Sequence, residues 1–126
     1  KTINDVEGLE ASMERVDNCL AEGLEFDMVV CGNDPTALGA LAALQNAELD
    51  EQTEIYGVDG SPDAKMMIVR GYLNGTSVQY PSEIGRSCVE NLYAYLDGKL
   101  YEKEIIVDVT FLNEENVKDY NVIGWQ

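Results

Sequence analysis

The sequence predicts an α/β fold of three layers, a mostly parallel sheet with helices on both faces. Short apolar runs alternate with longer segments of helical spacing, and each run ends in a turn rich in Gly, Asp, Asn or Pro. The strand–turn–helix order recurs three times in succession. Parallel neighbours need crossover connections, and helices laid on the sheet supply them. A length of 126 residues with 45% hydrophobic content is room for one domain with one modest core.

Val6, Leu9, Met13, Val16 and Leu20 step by three and four residues, one face of an amphipathic helix. Asn4 and Glu7 have the spacing of a capping box at its start, and Gly23 marks its end. Met28 to Cys31 is a short, continuously apolar run suited to a buried parallel strand. After it, Asp34 as N-cap and Pro35 at the first helical position open a helix over Thr36 to Asn46. Glu54 to Val58 reads as the second strand and Asp59-Gly60-Ser61-Pro62 as a turn. Ser61 and Pro62 open a helix over Asp63 to Arg70. Asn74-Gly75 turns the chain into a third strand, Thr76 to Tyr80, and Pro81-Ser82 opens the helix Glu83 to Leu96, stopped by Gly98. Lys103 to Thr110 reads as a last strand, and Asn113 caps a short helix through about Tyr120.

Composition removes whole classes of chemistry. Eight basic against 24 acidic residues give a formal charge of −16, a field that repels phosphate backbones and anionic membrane surfaces. Nucleic acid is therefore not an expected partner. The absence of histidine removes Ser-His and Cys-His nucleophile pairs and imidazole zinc sites. Asp59, Ser61 and Asp63 start like a calcium loop, but Ala64 and Arg70 stand where Gly and Glu are needed. The glycines form neither a dinucleotide fingerprint nor a phosphate loop, so no cofactor or metal is expected. Cys19, Cys31 and Cys88 lie far apart among apolar residues and read as small core residues. Asn74-Gly75-Thr76 has the form of a glycosylation sequon, and a turn before a strand explains it. No apolar run approaches the ~20 residues of a membrane helix, and nothing at Lys1 resembles a signal peptide.

In open parallel α/β sheets, ligands bind beyond the carboxyl ends of the strands. Those ends carry Asn33-Asp34, Asp59-Gly60 and Gln79. Amides donate and accept, and an ionised carboxylate accepts through two oxygens, a set matched to the hydroxyls of an uncharged sugar. No Lys or Arg stands there for a phosphate. Each position also has a plainer reading: Asp34 as a helix cap, Asn33 and Asp59-Gly60 as turn residues. Gln79 is harder to explain as turn or strand chemistry.

Three segments then match a known pattern. Phe26-Asp27-Met28-Val29-Val30-Cys31-Gly32-Asn33-Asp34 with Ala37-Leu38-Gly39-Ala40, Tyr56-Gly57-Val58-Asp59-Gly60-Ser61-Pro62-Asp63-Ala64, and Gly71 through Pro81 resemble, in order and spacing, segments of sugar-binding type I periplasmic binding proteins. The resemblance implies one lobe of that fold: residues 1–126 as a single C-terminal lobe, with the N-terminal lobe outside this chain. It implies that Asn33, Asp59 and Gln79 hydrogen-bond a sugar held between two lobes, and, from a looser match, that Ile3 is a further pocket contact. Val58 stands where ribose binders often carry an aromatic, which leaves the sugar's identity open.

The implied function is non-enzymatic: a sugar-binding protein, exported to the periplasm or lipid-anchored outside the cell, that delivers its ligand to an ABC transporter permease. The alternative is the effector-sensing lobe of a LacI-type transcription regulator. A single lobe exposes its cleft face, so a homodimer of the fragment is also expected.

Overall fold

The computed structural model describes Thr2 and residues 6–126. In chain order the elements are α1 (Gly8–Ala21), β1 (Met28–Val30), α2 (Asp34–Asn46), β2 (Glu54–Asp59), α3 (Pro62–Val69), β3 (Gly75–Val78), α4 (Pro81–Leu96) and β4 (Thr110–Leu112), followed by a 3₁₀ turn at Val117–Asp119. The sheet runs β1-β2-β3-β4. The first three strands are parallel, and β4 joins β3 antiparallel. A mostly parallel sheet flanked by helices is the fold class expected.

Two crossovers step in the same direction, β1 to β2 and β2 to β3, so right-handed connections carry α2 and α3 on one face of the sheet. There α2 packs on β1 and β2, α3 on β3, and α1 on α2. Burial along β2 alternates as the pleat requires: Ile55 and Gly57 are buried while Glu54, Tyr56 and Val58 are not. The core lies under this layer, where Leu44, Ile55, Ile68, Val78, Leu112 and Val117 are fully buried. Each such side chain contributes roughly 1.5–3 kcal/mol through lost apolar surface. By contrast α4 buries none of its residues.

Four expectations change. The first helix starts at Gly8 with Glu7 at the N-cap, and Glu7 makes no side-chain cap bond; Asn4, the other half of the expected box, lies outside the described residues, as does Ile3. The final strand is Thr110–Leu112, not Lys103 to Thr110. A strand forms only where a neighbour offers its backbone, and β3 offers Thr76, Ser77 and Val78 before Pro81 turns the chain into α4. The β-branched run Ile105-Ile106-Val107 falls beyond that reach. The short helix after Asn113 contracts to one 3₁₀ turn. Finally, Cys19 and Cys31 are buried as expected, but Cys88 is exposed on α4; all three are free thiols. Burial pushes the Cys31 thiol up to about 11.

At the sequon the expected turn falls earlier, at Arg70–Tyr72, and Gly75 and Thr76 already belong to β3. Asn74 accepts from the Ile55 N–H through Oδ1 at 2.7 Å and donates its own N–H to the Ile55 carbonyl at 3.0 Å, which ties it to β2.

Candidate functional site

Because β1, β2 and β3 are parallel, their carboxyl ends open on one edge. Register places Tyr56 beside Val30 and Asp59 beside Val78, and the Cys31 N–H continues the ladder to the Tyr56 carbonyl at 2.8 Å. Asn33 follows β1, Asp59 ends β2 and Gln79 follows β3.

Asp59 and Gln79 meet directly. The Gln79 Nε2 donates to Asp59 Oδ1 at 2.8 Å, and the Gln79 backbone N–H donates to the Asp59 carbonyl at 3.3 Å. Asp59 is half-buried and Gln79 exposed, and the bond orients the carboxylate through Oδ1. The backbone of Asp59 has φ 117°, a conformation that L residues rarely adopt. Strain of this kind, about 1–3 kcal/mol, persists only where surrounding bonds enforce it. Gly60 follows at φ 72°, and a Cβ there would sit 2.5 Å from Val78 Cγ2, so the turn admits only glycine.

Asn33 is not bonded to that pair. Its backbone is extended, and its Oδ1 accepts from the Thr36 N–H at 3.0 Å and from the Thr36 hydroxyl. This is the N-cap of α2, with Pro35 inside the first turn. The bond engages only Oδ1, and Nδ2 keeps its donors.

The cap assigned to Asp34 from the sequence is therefore corrected. Asn33 accepts from the residue three positions on, the geometry of a cap, and Asp34 becomes the first helical residue with its side chain fully buried. Asp34 Oδ2 accepts from the Ser61 N–H and Oδ1 from the Thr76 hydroxyl, both at 2.6 Å. Thr76 Oγ1 in turn accepts from the Gly60 N–H at 3.2 Å. Gly57 makes room, since a Cβ there would lie 2.3 Å from Asp34 Oδ1. Burial raises the Asp34 pKa and nearby Asp59 adds to the rise, against the bonds from Thr76 and Ser61 that lower it.

A second buried charge lies on α3. Lys65 Nζ donates to the Asn121 carbonyl at 2.6 Å and the Gly124 carbonyl at 2.5 Å, fastening the C-terminal tail. Burial lowers its pKa, and the Asp34 charge partly restores it. Sequence reasoning missed Asp34, Thr76 and Lys65. Asp34-Pro35 has the form of an ordinary cap, Thr76 that of an ordinary strand residue; Lys65 did leave a signal, a lone charge inside Ala64 to Val69.

A broad groove runs between α1 and the edge strand β1, lined among others by Val16, Cys19, Met28, Val30 and Asn33. Neither Asp59 nor Gln79 borders it. Among the described residues no helix is long and apolar enough to cross a membrane.

The fold defines the class, an α/β domain with a mostly parallel sheet, and comparison with known proteins gives the family. The periplasmic binding protein domain matches residues 2–100, and the chain belongs to that family. It is 35% identical over 92 residues to the ribose import binding protein RbsB of Escherichia coli, a match covering 73% of this chain and 31% of that protein. Among solved structures it is similar to an ABC transporter solute binding protein of Bacillus halodurans with bound myo-inositol: TM-score 0.83, 27% identity, 90% of this chain and 39% of that one. A solute binding protein of Actinobacillus succinogenes with bound D-allose shares the fold, with TM-score 0.84, 24% identity, and coverage of 90% and 40%. The chain thus spans about a third of the length of the curated relatives it matches.

Proposed function

We propose that this chain is the C-terminal lobe of a sugar-binding protein that delivers an uncharged sugar or cyclitol to an ABC transporter permease. The bond between Asp59 and Gln79 at the carboxyl edge of the sheet carries this reading. It makes a fixed acceptor beside a donor–acceptor amide, and Asn33 adds free donors at the neighbouring strand end. Such a set matches adjacent hydroxyls and offers no cation to a phosphate. The second wall of the site comes from an N-terminal lobe outside this chain, and closure of the two lobes couples binding to the exclusion of water. The protein acts as a binder and not as an enzyme, on the periplasmic side or lipid-anchored at the cell surface. The kinship to proteins that hold ribose, allose and myo-inositol supports the ligand class. No observation favours the regulator alternative.

Calorimetry on the full-length protein with ribose, allose and myo-inositol tests the reading. At least one should bind, and Asp59→Ala should weaken it about ten- to hundred-fold, the roughly 1.5–3 kcal/mol of a charge-assisted bond. Wild-type affinity in the Asp59→Ala protein overturns the site; absence of binding to any sugar or cyclitol overturns the ligand class.

A further inference from the structure

We propose that Asp34 is a positioning residue that ties the start of α2 to the turn after β2 and to β3, and so sets the Asp59 carboxylate toward ligand; this rests on the binding reading above. Asp34 itself is fully buried. Its two oxygens reach two other segments: Ser61, in the turn after β2, and Thr76, the second residue of β3. Through the Thr76 hydroxyl the carboxylate also holds the Gly60 N–H. The two residues immediately after Asp59 are thus fixed by their backbone donors, one directly and one by relay. That is where restraint is needed, since Asp59 and Gly60 both occupy the left-handed region and would otherwise relax.

The clamp extends further. Ser61, held by its N–H, caps α3 by accepting from the Ala64 N–H at 3.2 Å. Asp34 belongs to α2, whose cap residue is Asn33. One carboxylate therefore sets the relative position of Asn33, Asp59 and the start of α3. The site suits this work better than it suits a charge: desolvation opposes ionisation, and the facing titratable groups are Asp59, which repels, and Lys65, which attracts.

The variants that separate positioning from bulk stability are Asp34→Asn, Thr76→Val and Thr76→Ser in the full-length protein. Asp34→Asn keeps the shape but cannot accept from both Ser61 and Thr76. Affinity for the sugar bound by wild type should fall at least about tenfold, while the unfolding temperature stays within about 2 °C or rises. Thr76→Val should lose affinity likewise, and Thr76→Ser, which keeps the hydroxyl, should restore most of it. A second readout needs no ligand: amide exchange at Gly60 and Ser61 should quicken at least about tenfold in Asp34→Asn while core amides such as Ile55 are unchanged. If wild type binds no sugar, the functional reading fails and the exchange data alone judge the clamp. Unchanged Gly60 and Ser61 exchange overturns it. So does affinity within twofold of wild type, or affinity lost only in step with global stability.

Discussion

Among the described residues the chain buries two charged side chains completely, Asp34 at the carboxyl edge of the sheet and Lys65 on α3 beneath the C-terminal tail. Both meet the same difficulty, since an ion removed from water costs several kcal/mol unless its bonds are replaced. Both answer it with backbone groups of opposite polarity. Asp34 takes an N–H and a hydroxyl that relays a second N–H, and Lys65 takes two carbonyls. The difference lies in what the partners are attached to. The N–H groups that Asp34 holds, Ser61 directly and Gly60 through Thr76, follow Asp59 in a turn with strained backbone; the carbonyls that Lys65 holds lie 56 and 59 residues along, in a tail of irregular structure. A buried ion organises whichever segment satisfies it: here one orders the turn after β2 and the other the C-terminal tail.

Removing Lys65 is the strongest way to break that contrast. Lys65→Met fits the volume but leaves the Gly124 carbonyl without its donor and the Asn121 carbonyl with Gln126 Nε2 alone, so denaturant unfolding should show a loss of about 1–3 kcal/mol. Sugar affinity should stay within about twofold, because neither carbonyl that Lys65 holds belongs to or is bonded to Asn33, Asp59 or Gln79. A large affinity loss without a stability loss would merge the two regions into one.

Smaller effects follow at the edge itself. Asn33→Ala and Gln79→Ala should each cost roughly 0.5–1.5 kcal/mol of binding energy, the range of a neutral bond, measured by the same calorimetry. Asn33→Ala should also cost about 1 kcal/mol of stability, since it removes the α2 cap. Gln79 is exposed and caps nothing, so its variant should leave stability alone.

The pH dependence sharpens the comparison further. The Asp34 pKa is raised above its ordinary 3.8, so the folded chain holds that proton more tightly than the unfolded chain does. Its stabilising contribution is therefore complete below 3.8 and is lost as pH rises through the folded value. Relative to Asp34→Asn, wild type should gain stability as pH falls from 7 toward about 4. A wild type that loses stability relative to Asp34→Asn over that range would mean the folded chain stabilises the ionised carboxylate.

How much of this was legible in the sequence follows from the range of each interaction. Helix starts at Pro62 and Pro81 and the stops near Gly23 and Gly98 depend on neighbours within four residues, and those were readable. So were the strand-end residues Asn33, Asp59 and Gln79, because a parallel sheet sends every carboxyl end to one edge. The strand expected over Lys103 to Thr110 failed because pairing depends on where β3 stops, a fact local to another segment. Cys88 was misplaced for a similar reason: apolar neighbours in sequence do not bury a residue when the helix itself packs on little. Asp34 was misread because Asn33 and Asp34 are both good caps, and only the position of Ser61 and Thr76, 27 and 42 residues away, decides between them.

The most direct test of the account is a crystal structure of the full-length protein with the sugar found by calorimetry. The Asp59 carboxylate, the Gln79 amide and Asn33 Nδ2 should each lie about 2.7–3.1 Å from a ligand hydroxyl, with Asp34 still bonded to Ser61 and Thr76 behind them. A sugar seated in the groove between α1 and β1, away from Asp59 and Gln79, would contradict it.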